Sequence, residues 1–342
     1  MPFTIITVKD MKLNNNKNNH AGGSLKVVLT ALVVNAVLTI AKIAGFFFSL
    51  SPSMLAESIH SFADTANQIL IYIGIKVSKK KPTRDFPFGY GQARYLWNLV
   101  SATGIFFIGF GVTTYHGIMS LFAHHEANIS YDIAIPILIL AFFGEGYALN
   151  VALKEVRGQK GTMTLREWIK NGDDPTSVGV LIEDAIAVIG VVLAVAGMLL
   201  SHYFGTYIFD SIATILIGVL LGVMAIIMGY ANGRLLINRS VNELSEKDIK
   251  KYILALPEIK TIYYLSTEIM SPDDIRLSME FDLNIDQVLK KEKANIDENK
   301  FQNFVKMISQ TIKNIENKIK KQFPEITHVD LEITTIEEND DS

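Results

Sequence analysis

The sequence predicts a membrane protein, with an all-α transmembrane domain of six helices followed by a small cytoplasmic α+β domain. Three observations predict this. The 342 residues are 49% hydrophobic and only 20% charged, with a mean hydropathy of +0.27, which is more apolar than most soluble chains. Six stretches reach the roughly 20 mostly apolar residues that a helix needs to cross a bilayer core. Beyond Arg239 that texture gives way to alternating and helical periodicities typical of a packed soluble domain.

Four segments follow from this reading. Residues 1–23 form a polar, Asn/Lys-rich tail without a signal-peptide pattern, expected to be disordered. Residues 24–239 carry the six spans, about Leu25–Leu50, Met54–Ser78, Leu96–Phe122, Asp132–Val156, Thr176–Leu200 and Phe209–Ile237. Only Ser51, Pro52 and Ser53 separate the first two, which predicts a tight hairpin. Asp174 is a plausible N-cap for span five, with Pro175 in its first turn. Residues 240–336 form the soluble domain, and residues 337–342 an acidic tail.

The loops Ser51–Ser53, Ala123–Tyr131 and Ser201–Tyr207 contain no Lys or Arg. The alternate loops carry Lys79, Lys80, Lys81, Arg84 and Arg94, then Lys154, Arg157, Lys160, Arg166 and Lys170, and Arg234 and Arg239 follow the last span. This asymmetry places both termini in the cytoplasm. The plasma (inner) membrane of a bacterium is the expected location.

In the soluble domain, Glu246–Leu256 has helical periodicity, while Ile259–Met270 and Ile275–Ile285 are β-branched or alternating. Phe301–Phe323 is amphipathic, and Thr327–Ile336 follows Pro324 as a final strand. The charged stretch Gln287–Asn299 is expected to be a loop. The α-β-β-α-β order predicts helices on one face of a short sheet.

Composition excludes several functions. The chain has no Cys, which removes disulfide scaffolds, thiolate zinc sites, iron–sulfur clusters and cysteine nucleophiles. Its net charge of −3 leaves no basic footprint for nucleic acid. That average conceals a division. Residues 1–239 hold 18 basic and 14 acidic residues, and residues 240–342 hold 14 and 21.

Ionisable side chains inside a span are costly and point to function. Span two holds Glu57, His60 and Asp64 at steps of three and four, one turn apart on one helical face, with Asn67 and Gln68 extending the polar stripe. Span five holds the adjacent pair Glu183 and Asp184. Lys42 is the one lysine deep in a span, expected to snorkel toward the nearer end. One lysine cannot neutralise four acids, whereas a metal dication can. Imidazole with two or three carboxylates suits zinc, and also Mn(II), Fe(II) or Co(II). Glu145, between glycines, is expected to line a vestibule or pair with another span, and Asp210 to cap its helix. His124, His125, Glu126 and His202 read as ordinary outer-loop residues, and His116 as an interfacial packing residue.

The motifs AESIHSFADTANQ in span two, FPFGYGQARY in the next loop, DPTSVGVLIEDAIAVIG in span five and YIFDSIATILIGVLLG in span six resemble the cation diffusion facilitator family. With YHGIM in span three, they are most similar to the zinc transporter 9 branch. The resemblance implies a ferredoxin-like cytoplasmic domain, a homodimer, and export of a divalent metal in exchange for protons. It places His60, Asp64 and Asp184 on metal ligands, while Val180 stands where the family usually has a fourth. Glu183, Glu57 or water remains for that position. Glu183 lies about 100° around the helix from Asp184, and Glu57 one turn from His60. Phe86 and Tyr90 replace the histidines of a second metal site found in many bacterial relatives, and Tyr263, Ser278 and Glu332 those of a cytoplasmic zinc pair. The acids Glu280, Asp282, Asp330 and Glu332 read as a solvated strand face.

The expected function is therefore secondary active export of a divalent cation, zinc first, with manganese, iron or cobalt as alternatives and protons as counter-ions. An intramembrane hydrolase is disfavoured because HExxH, GxSxG and Cys are all lacking. A membrane metal sensor without flux is the remaining competitor.

Overall fold

The computed structural model describes residues 32, 35–122, 131–159, 175–272, 274–292 and 300–334. The N-terminal tail, the start of span one, His124, His125 and Glu126, Lys160, Arg166 and Lys170, the Asp174 cap and the acidic C-terminal tail lie outside the described residues.

Among the described residues, six helices lie in the apolar part. They are α1 (Asn35–Ser49), α2 (Pro52–Ser78), α3 (Ala93–Phe122), α4 (Tyr131–Gln159), α5 (Pro175–Phe204) and α6 (Ile208–Leu236). Four of them, α3 to α6, are long and apolar enough to cross a membrane among the described residues. The 27 residues of α2 have the length, but the polar stripe lowers their hydropathy.

By packing, the chain divides into two compact units. One comprises Met1–Ile73, Val100–Tyr147 and Ala185–Ala225, the other Gly74–Leu99, Ala148–Asp184 and Ile226–Ser342.

In the first unit polarity is inverted relative to a soluble core. Phe47, Phe107 and Phe143 are 70%, 67% and 68% exposed, whereas Lys42, Glu57 and His60 are fully buried. Lipid tails solvate the apolar side chains, so burial is reserved for polar groups and for close helix packing. Glycines permit that closeness. A Cβ on Gly218 would lie 2.5 Å from Thr114 Oγ1, and one on Gly117 2.7 Å from Ile215. Within α3, Ile105–Val112 is a π-helical segment. Gly109 of that segment packs on Leu221, and Phe110 fills the space at Gly222.

The α1–α2 hairpin is tighter than predicted. Leu50 takes a positive φ of 55°, and α2 begins at Pro52 instead of Met54, because proline's preset φ and missing N–H suit the first helical position. Ser51 Oγ accepts from Met54 N at 3.2 Å as the cap.

In the second unit, α7 (Glu243–Leu254) precedes β1 (Ile259–Ser271) and β2 (Asp274–Leu283). Then come α8 (Ile285–Glu292), α9 (Lys300–Gln322) and β3 (Ile326–Ile333). The sheet order is β1-β2-β3, with β1 antiparallel and β3 parallel to β2. A parallel neighbour requires a crossover, which α8 and α9 supply. Asn242 caps α7 by accepting from Ser245 N at 2.8 Å. Leu277 and Phe281, at alternate positions on β2, are buried with Ile253, Ile315 and Ile319. The loop expected from Gln287 is corrected over its first part. Residues 285–292 are helical, and Val288 joins the same core, so one buried apolar contact outweighs the charged composition.

The loop after α2 packs on one end of this sheet, where the last residues of β1 meet the first of β2 and β3. The Arg276 guanidinium stands 4.6 Å over the Phe88 ring, and His328 meets the ring edge-on at 5.7 Å. Gln92 Nε2 donates to Glu268 Oε1 at 3.4 Å. Gly91 approaches so closely that a Cβ would lie 2.8 Å from the Met270 carbonyl oxygen.

Candidate metal centre

Helix α2 delivers Glu57, His60 and Asp64 to one side, since steps of three and four return to the same helical face. All three are buried. His60 Nε2 and Asp64 Oδ2 stand 3.5 Å apart. Neither imidazole nitrogen has a hydrogen-bond partner among the described residues. A buried imidazole without partners is costly unless something else occupies its lone pair.

The neighbouring polar groups are tied into the helices around them. Thr39 Oγ1 donates to the Ser61 carbonyl at 2.9 Å and lies 3.0 Å from Thr65 Oγ1, joining α1 to α2 beside the pair. Asn67 Oδ1 accepts from Ser101 Oγ at 2.7 Å, joining α2 to α3.

Lys42 corrects the sequence reading. It does not snorkel. Its ammonium is fully buried and donates to Glu57 Oε2 at 2.8 Å and to Glu145 Oε1 at 2.6 Å. Lys42 lies eight residues from Leu50, about 12 Å along a helix, and that distance was the signal against snorkelling. Glu145, left open between two roles, pairs with another helix. Asp210 is not the cap of α6, which begins two residues earlier at Ile208. It accepts from Ser51 Oγ at 2.6 Å and from Ser53 N at 3.3 Å, fastening the hairpin turn.

Glu183 and Asp184 belong to the second unit, on the first ten residues of α5. Glu183 is buried and Asp184 partly so, while Val180, one turn earlier, is 41% exposed. Among the described residues no group of three or more His, Asp or Glu stands close enough to hold a metal ion. The structure thus brings together His60 and Asp64, and separately Lys42, Glu57 and Glu145.

Comparison with known proteins decides the family. Residues 28–237 match the cation efflux transmembrane domain. This chain belongs to the cation efflux family. The cation efflux chain is 30% identical to metal tolerance protein C4 of Arabidopsis thaliana, over 95% of its own length and 75% of the plant protein's. It is also 30% identical to the mitochondrial proton-coupled zinc antiporter SLC30A9 of Mus musculus, over 91% of its own length. It spans only 59% of that antiporter. The manganese efflux system protein MneP of Bacillus subtilis is 26% identical over 77% of the chain. The names of the antiporter and of the efflux protein describe metal transporters, and this member of the cation efflux family is an integral membrane protein and not an enzyme.

Proposed function

We propose that the protein exports a divalent metal ion, zinc in the first place, from the cytoplasm in exchange for protons. The observation that carries this reading is the buried His60–Asp64 pair, 3.5 Å apart, whose imidazole nitrogens have no hydrogen-bond partner among the described residues. Imidazole and carboxylate together make a borderline zinc site, and manganese, iron and cobalt accept the same donors. A relative named as a zinc antiporter and another named for manganese efflux support both options, with zinc favoured by the imidazole.

In this reading the metal leaves its water for His60, Asp64 and Asp184, and Glu183, Glu57 or water completes the set. Coordination requires neutral imidazole and ionised carboxylates, so protons arriving from the outer side compete for the same atoms and help release the metal. Rocking of the helices alternates access. Residues 24–239 make up a six-span transport domain and residues 240–336 a ferredoxin-like cytoplasmic domain, between the tails 1–23 and 337–342. Both termini stand on the side rich in Lys and Arg, which is the cytoplasm in a bacterial inner membrane. Two copies form the working dimer.

The test is zinc uptake by the purified protein in sealed vesicles under an imposed pH gradient. D64A and D184A are expected to abolish uptake while still folding and inserting. Full uptake by either variant overturns the ligand assignment. Intact zinc binding with zero flux in the wild type would favour a sensor instead.

A further inference from the structure

The transport reading names Glu57 as one candidate fourth ligand but makes no use of its tie to Lys42 and Glu145, which carries an inference of its own. One ammonium serves two carboxylates, so with all three charged the cluster holds one net negative charge in a buried setting. Glu57 Oε1 and Glu145 Oε2 have no hydrogen-bond partner among the described residues, although their companion oxygens bind Lys42. The fourth wall is Gly190 of α5, where a Cβ would come within 2.6 Å of Glu57 Oε1. Space is thus kept for the second oxygen of Glu57. A purely structural tie would be better served by apolar residues, since burying charges seldom stabilises a fold. The arrangement is that of a cation site already filled by a tethered cation. Its Glu57 stands one helical turn from His60, within reach of the neighbouring ligands.

We propose that Lys42 is a built-in cation that holds Glu57 out of the transported metal's ligand set, so that the site releases its metal readily. This rests on His60 and Asp64 holding the metal. A third protein carboxylate tightens a divalent site and slows release, and a transporter must bind loosely enough to let go. Lys42 is a positioning residue, and its effect is opposite in sign to that of structural damage.

The test is zinc binding to the purified full-length protein by equilibrium dialysis. The variant K42M/E145Q frees Glu57 while keeping the cluster's net charge, which removes long-range electrostatics as an explanation. It is expected to bind zinc at least tenfold more tightly than wild type, and K42R, which keeps the ammonium's role, to bind as wild type does. If K42M/E145Q does not fold, K42Q/E145Q carries the same charge with amides that can hydrogen-bond, and the same tightening is expected. A folded double variant that binds zinc no more tightly than wild type overturns the proposal. D64A separates the two readings. If D64A binds zinc normally, the transport site itself is wrong. If D64A loses zinc and the double variants show no gain, only the role of Lys42 falls.

Discussion

Lys42 and Glu57 form a fully buried ion pair, 2.8 Å between Nζ and Oε2, that joins α1 to α2 beside His60. Glu145 of α4 closes on the same ammonium at 2.6 Å. The pair links the helix that carries the candidate ligands to its neighbours through charge, where the other named ties, from Thr39 and from Ser101, are neutral hydrogen bonds.

Removing Lys42 alone should therefore destabilise the protein. K42M leaves two buried carboxylates without their cation, and breaking a buried pair in this way costs about 3–5 kcal/mol. Thermal unfolding in detergent should show a large drop for K42M and a small one for K42R. Equal stability of K42M and wild type would show that the acids find other partners.

Gly190 should be intolerant of a methyl group for the same reason. G190A places a Cβ 2.6 Å from Glu57 Oε1, a buried carboxylate held by Lys42, and forced overpacking of this kind costs about 1–3 kcal/mol. Gly179, on the same helix, has nothing among the described residues within 4 Å of its Cβ position. G179A should be neutral or slightly stabilising. Unfolding temperatures of the two variants, measured side by side, check the contrast.

Phe88 should hold the loop after α2 against the sheet. F88A loses the Arg276 guanidinium and the His328 edge, worth about 0.5–1 kcal/mol for an exposed cation–π contact. Limited trypsin digestion at Lys79, Lys80 and Arg84, all exposed, should quicken in F88A relative to wild type. Unchanged cleavage would mean that Gly91 and Gln92 suffice to anchor the loop.

Local pattern was enough to find the long apolar helices, the polar stripe of α2 and the strands of the second unit. Each is a periodicity of 3.6 or 2 carried by neighbouring residues, and His60 and Asp64 were legible together because four residues make about one turn. The partners of the buried charges were not legible. Lys42 meets Glu145 across 103 positions and Asp210 meets Ser51 across 159, and no local pattern encodes contacts at that range. Helix α8 was missed because charged residues outnumber apolar ones in IDQVLKKE, and the value of Val288 depends on a core built by residues far away in the chain. Sequence placed a histidine and several carboxylates where lipid makes them costly. Only the packed helices decided which of those carboxylates is already occupied by a lysine, because that depends on which helices become neighbours.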